Sequence, residues 1–200
     1  MNLFRKLANR TTPIDETALH YIWLSLACGF ASAAARELIS AYHGAGAVYA
    51  EEDFSSRTDL SEPLRKRLSE KDLSDAQEIY KACREKGIGI LTYESDLYPS
   101  RLRTLTNPPA VLYYRGRITN LDCEPCVAVV GTRSVSRYGE EVTDWFGYEL
   151  AKSGAFVVSG LAKGADGIAH RAALRAGGNT VAVLGTAIDR VYPLQNEGLF

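Results

Sequence analysis

Arg133 stands in Val127-Ala-Val-Val-Gly-Thr-Arg-Ser-Val-Ser-Arg-Tyr-Gly139, where an apolar run meets a glycine and then a polar loop. A dinucleotide-binding turn would carry a second glycine here, so that backbone can approach a pyrophosphate. An arginine is a different device. Its guanidinium is planar, permanently charged and shaped to grip a phosphate through two parallel hydrogen bonds. Lys163, in Ser159-Gly-Leu-Ala-Lys-Gly-Ala-Asp166, can add a second, more flexible charge. The competing readings are a surface ion pair from Arg133 to Glu140 or Glu141, and a merely solvated Lys163. His170 is a lone histidine and reads as structural rather than as a catalytic base. Cys123-Glu-Pro-Cys126 is a CxxC. Zinc would need a second close ligand pair, and Cys28 and Cys83 are isolated. A redox pair opens a helix, whereas this one precedes a strand, so it reads as reduced thiols in a connector.

Other chemistries lack their residues. There is no GxGxxG after the apolar run, and no GxxxxGK[ST], because Lys163 precedes Gly164. No acid–base pair, metal triad or nucleophile elbow is evident, so neither a catalytic residue nor a metal or other cofactor is expected. The 200 residues are 46% hydrophobic and 24% charged with net charge -1, a composition that can bury a core and that carries no global positive field. Any anion site must be local. No apolar run approaches the roughly 18 residues of a membrane span. Residues 1–16 hold no long apolar stretch of the secretory kind, so the cytoplasm is the expected compartment.

The elements that must position these residues fall into three parts. Residues 1–87 read as a small helical domain. Asp15 can cap a helix with Leu19, Ile22, Trp23, Leu26 and Phe30 on one face. A second helix over 31–42 carries Ala35, Leu38, Ile39 and Tyr42 inward and stops at Gly44. Two more pieces lie within 61–86, with Leu64 and Leu68, then Ala76, Ile79, Tyr80 and Cys83. Gly29 between helices faintly suggests a helix-hairpin-helix, but that motif wants Gly-x-Gly, and an ordinary turn is the better reading. Residues 88–119 read as a connector with short strands at 88–92 and 111–114.

From residue 120 the pattern is strand, helix, strand, helix, strand. Val127–Val130, Phe156–Val158 and Val181–Leu184 read as buried parallel strands. Between them fall a helix over 140–152 with Val142, Trp145, Phe146 and Leu150 inward, and a helix over 166–176 capped by Asp166. They stop at Gly154 and at Gly177-Gly178. This predicts an α/β, Rossmann-like parallel sheet with right-handed crossovers, preceded by the helical domain. In such a sheet ligands bind beyond the carboxyl ends of the strands. Three glycine-bearing loops lie there, 131–139, 159–166 and 185–193, two of them feeding helix N-termini. Glu140 and Glu141 sit at one such terminus and oppose an anion on its axis, which moves the expected contact onto the loop around Arg133.

In this order and combination, "YPSRLRTLTNPPAVLYYRG", "VAVVGTRSVSRYG", "VVSGLAKGADGIAHRAAL" and "GGNTVAVLGTAIDRVYP", running on to Asn196, resemble the DNA-processing proteins A (DprA, also called Smf). The resemblance runs from about residue 88 to the end. It covers the helical part, of sterile-alpha-motif or helix-hairpin-helix type, only in kind and position. It implies a single-stranded DNA-binding protein that protects incoming strands and helps load a RecA-type recombinase in natural transformation, acting as a homodimer without catalysis. Carried over, Arg133 is the expected phosphate contact. Gly131, Thr132, Ser134, Ser159, Gly160, Lys163 and Gly164 would form the pocket, Asp166 and His170 would brace it, and Tyr192, Pro193 and Asn196 belong to the third loop. The alternative is a phosphoribohydrolase of the lysine-decarboxylase-like group, whose Pro-Gly-Gly helix start is missing here. Two departures stand out. Leu194 replaces a lysine common after Tyr-Pro, and the sequence stops at Phe200, before further strands and an Arg-Asn-Arg loop. On that basis strand 127–130 should be an exposed apolar edge, and the 200-residue chain prone to associate.

Overall fold

The structure is a computed structural model that describes residues 15–200. The N-terminal stretch read against a secretory leader lies largely outside the described residues. The chain divides into two compact units. One runs to Ser95 and takes in Leu102–Leu112, and the other comprises Asp96–Arg101 and Tyr113–Phe200. The stretch expected as a connector is thus shared between them.

The first unit is built on helices α1 (Glu16–Cys28), α2 (Ala33–Tyr42), α3 (Ala45–Ala50), α4 (Glu62–Glu70) and α5 (Ser74–Glu85). Asp15 caps α1 as expected, its carboxylate accepting from the Ala18 amide at 3.2 Å. Leu19, Ile22, Trp23, Leu38, Ile39, Val48, Leu64, Leu68 and Ala76 are buried together. Leu26 and Phe30, expected on the same face as Leu19, are exposed instead. Helix α1 ends at Cys28, so Phe30 falls in the turn that follows it. The Lys71 ammonium lies 4.9 Å from the Phe54 ring centroid, with Trp23 and Tyr49 nearby, and ties the α4–α5 turn to the bundle through cation–π attraction. Strands β1 (Gly89–Thr92) and β2 (Val111–Tyr114) pair in a two-stranded sheet. Between them in sequence lies the one-turn helix α6 (Ser100–Arg103).

The second unit carries the Rossmann-like pattern. Strands β3 (Cys126–Ala128), β4 (Phe156–Ser159) and β5 (Thr180–Ala182) form a parallel sheet in the order β3-β4-β5, with Val127 opposite Val157 and Val158 opposite Val181. Parallel neighbours need crossovers. Helix α7 (Arg137–Lys152) supplies the first and α8 (Ala165–Arg175) the second. Val157 is fully buried with Ala151 of α7 and Ala169 and Ala173 of α8. The two helices meet through small residues. A Cβ at Gly147 would stand 3.0 Å from the Ala169 carbonyl oxygen and 3.1 Å from the Ala172 Cβ.

That close seam corrects the expected helix face. Trp145 (57% exposed) and Phe146 are not inward; Gly147 and Ala151 are. Helix α7 also begins earlier than expected, with the Ser136 hydroxyl accepting from the Gly139 amide at 3.2 Å. The first strand is shorter than the apolar run and lies at the sheet edge, which leaves Val130 77% exposed. Val183 is exposed as well, since β5 ends at Ala182. Apolar runs of this kind read as buried only when both sheet faces are covered. Asp166 does not cap α8. Gly164 holds the cap position without a side-chain bond, and Asp166 lies inside the first turn.

The seam sets a steric limit. Gly147→Val should destabilise the protein by about 2 kcal/mol, in the range of overpacked cores, while Gly198→Ala, where a Cβ would meet nothing within 4 Å, should leave stability nearly unchanged. Urea unfolding followed by tryptophan fluorescence measures the difference.

Candidate functional site

The sheet brings the three loops to one edge, because each follows a parallel strand. The first two touch backbone to backbone. The Ala165 amide donates to the Thr132 carbonyl at 3.2 Å. Gly164 adopts φ +86°, and a Cβ there would collide with the carbonyl oxygens of Thr132 and Arg133. Only glycine fits both the conformation and the space. Gly131 is similarly close, its missing Cβ standing 2.7 Å from the Ala165 Cβ. Arg133 is therefore placed by the backbone of the neighbouring loop.

Arg133 is exposed, and among the described residues its side chain makes neither an ion pair nor a hydrogen bond. Neither expected competitor, Glu140 or Glu141, pairs with it, and Glu141 instead pairs with Arg137 at 3.3 Å. Ser134 folds back, its amide donating to the Thr132 hydroxyl at 3.1 Å. The amides of Gly131, Thr132 and Arg133 have no partner among the described residues. A side-chain fork thus stands beside a row of unpaired donors, a combination suited to an anion. Lys163 is exposed and likewise unpaired among the described residues.

The second loop is satisfied from within. The Asp166 carboxylate accepts from the amides of Gly160 at 3.1 Å and Ala162 at 3.3 Å. These donors, expected to face a ligand, already hold the protein's own negative charge. The Ser159 hydroxyl donates to the Val129 carbonyl at 2.6 Å and cross-links β4 to the end of β3. Leu161 is buried at φ +58°. Asn196, buried on the 3-10 helix Leu194–Leu199, donates through Nδ2 to the carbonyls of Leu161 and Ala162, each at 2.9 Å. Its Oδ1 accepts from Arg171 at 3.2 Å. Arg171 went unnoticed in the sequence, where nothing links it to a residue 25 positions away. The third loop carries a cis peptide at Tyr192–Pro193. Tyr192 and Leu194 are exposed.

His170 is 2% exposed on the inner face of α8. The Thr180 hydroxyl donates to the Val157 carbonyl at 2.7 Å, so it accepts from His170 Nδ1 at 2.6 Å. That assigns the proton to Nδ1. Nε2 is buried without a partner among the described residues. Burial pushes the His170 pKa below the usual 6.5, against the attraction of Asp166, which raises it. The ring is a neutral packing and hydrogen-bonding group that ties α8 to β5.

Residues 89–200 match the family described as DNA recombination-mediator protein A. A protein Smf of Synechocystis is 43% identical over 119 residues, covering 58% of this chain and 30% of the relative. The DNA processing protein DprA of Bacillus subtilis is 37% identical over 115 residues, covering 58% of this chain and 39% of the relative. The chain thus matches about a third of the length of these curated relatives. The X-ray structure of DNA processing protein A from Streptococcus pneumoniae superposes with a TM-score of 0.59 at 28% identity, covering 90% of this chain and 62% of that one. No described helix is long and apolar enough to cross a membrane.

Two outcomes follow from this geometry. The unfolded chain takes up a proton at His170 that the folded chain refuses, so stability is complete above about pH 6.5 and drains as pH falls below it. His170→Asn should be less stable at pH 7 yet show a shallower decline between pH 7 and 5.5 in denaturant titrations. His20, whose pKa burial also lowers, contributes to the slope that remains. Gly164→Ala should cost about 1–3 kcal/mol through backbone strain, read as a lowered midpoint in the same titrations.

Proposed function

This chain belongs to the DNA recombination-mediator protein A family, and on that premise we propose that it binds single-stranded DNA through phosphates held at the β3–α7 loop. The observation that carries the reading is Arg133, exposed and unpaired among the described residues, beside the unpaired amides of residues 131–133. Lys163 supplies a second cation from the β4–α8 loop, and Gly131, Thr132, Ser134 and Gly164 give the pocket its shape. Ser159, Gly160, Asp166, His170, Pro193 and Asn196 act from behind, by holding the loops. The Asp166 carboxylate on the Gly160 and Ala162 amides supports a strand laid on the first loop.

The site is one of binding without a chemical step. His170 is inside the unit rather than at the loop edge, and the exposed groups around Arg133 offer charge and donors. Backbone recognition of this kind is indifferent to sequence. It suits a cytoplasmic protein that coats and protects incoming single strands and passes them to a RecA-type recombinase, working as a homodimer.

Binding of a single-stranded oligonucleotide, followed by fluorescence anisotropy, should weaken linearly with the logarithm of salt, by about 0.7 per phosphate contact. Arg133→Ala should lower affinity about tenfold or more for any sequence, as expected for a lost charged hydrogen bond, and reduce that slope by about one contact. Unchanged affinity in this variant would sink the assignment of the site.

A further inference from the structure

Two tyrosines at the loop edge stand without a partner. Tyr138, on the first turn of α7, is 76% exposed, and Tyr192, in the loop after β5, is 64% exposed. Neither makes a hydrogen bond or ring contact among the described residues. Isolated exposed aromatics are ordinary on protein surfaces. What distinguishes these two is position. Tyr138 opens the helix that the Arg133 loop feeds. Tyr192 lies two residues beyond Arg190, an exposed cation with no ion pair among the described residues. Their loops leave the carboxyl ends of β3 and β5, the outer strands of the β3-β4-β5 sheet. Adjacent strands are about 4.8 Å apart, so these loops start about 10 Å apart with the Lys163 loop between them. Trp145 and Phe146 are different. They contact each other edge to face at 4.9 Å and lie about two turns further along α7, away from the loop that feeds that helix.

We propose that Tyr138 and Tyr192 are base-stacking residues that flank the phosphate contacts of Arg133 and Lys163. The proposal rests on the reading that the chain binds single-stranded DNA. A strand whose phosphates meet the central cations leaves its bases free to stack, and an exposed ring after each outer strand offers them an apolar face. Stacking accepts any base, since each has a π-face, so it adds affinity without sequence preference. The tyrosines thereby supply the part of the binding that salt does not weaken.

The test compares an oligothymidylate with a strand of equal length whose nucleotides are abasic, using the full chain. The wild-type protein should bind the thymidylate strand about fivefold or more tighter than the abasic one. Tyr138→Ala and Tyr192→Ala should each weaken thymidylate binding by about fivefold or more, leaving abasic binding and the salt slope unchanged. Tyr138→Trp should keep the affinity, and Arg133→Ala should weaken both strands alike. Equal losses on both strands, or no loss in either tyrosine variant, would overturn the stacking role while leaving the phosphate site standing. A wild-type protein that binds neither strand would overturn the DNA-binding reading itself, and the stacking role with it.

Discussion

The close approach of Gly164 to the Thr132–Arg133 peptide is the contact on which the candidate site depends. Two loops that follow different strands meet there with no side chain between them, because none fits. The same contact lets the Ala165 amide reach the Thr132 carbonyl, so the first residue of α8 is tied to the loop that precedes α7. Parallel strands bring the loops to one edge, but strand spacing by itself leaves them free to splay. Glycine at this point brings them together and sets Arg133 on top.

Around that contact, charge is divided between a closed loop and an open one. The amides of Gly160 and Ala162 are consumed by Asp166, while Asn196 takes the carbonyls of Leu161 and Ala162. The β4–α8 loop is therefore held from within and needs no ligand to satisfy it. The loop around Arg133 keeps its donors unspent. In a chain with net charge -1, attraction for a phosphate must come from such local arrangement, and an arginine without an acidic partner is its simplest form.

Packing takes the opposite course from the one that residue size suggests. Helices α7 and α8 approach through Gly147, Ala151, Ala169 and Ala172, and the large residues Trp145 and Phe146 are left outside. Close approach favours small residues at the seam, since a bulky one would hold the helices apart. The side chains of Val130, just beyond the edge strand, and of Trp145 on α7 are exposed as a result.

Much of this was legible in the sequence. Alternation of short apolar runs with amphipathic stretches named the parallel α/β pattern, Asp15 announced the start of α1, and the polar residues after Gly131 marked the loop at the carboxyl end of β3 in which Arg133 stands. These are local signals, carried by neighbours along the chain, and the sequence by itself determined them. It did not determine which face of α7 is buried, because periodicity marks a face without naming the neighbour that covers it. Nor did it show that Asp166 spends its charge on Gly160 and Ala162, or that Asn196 and Arg171 meet. Those are pairings across space, and only the tertiary structure decided them, since only folding brings a carboxylate, an amide and a carbonyl from separate loops within bonding distance.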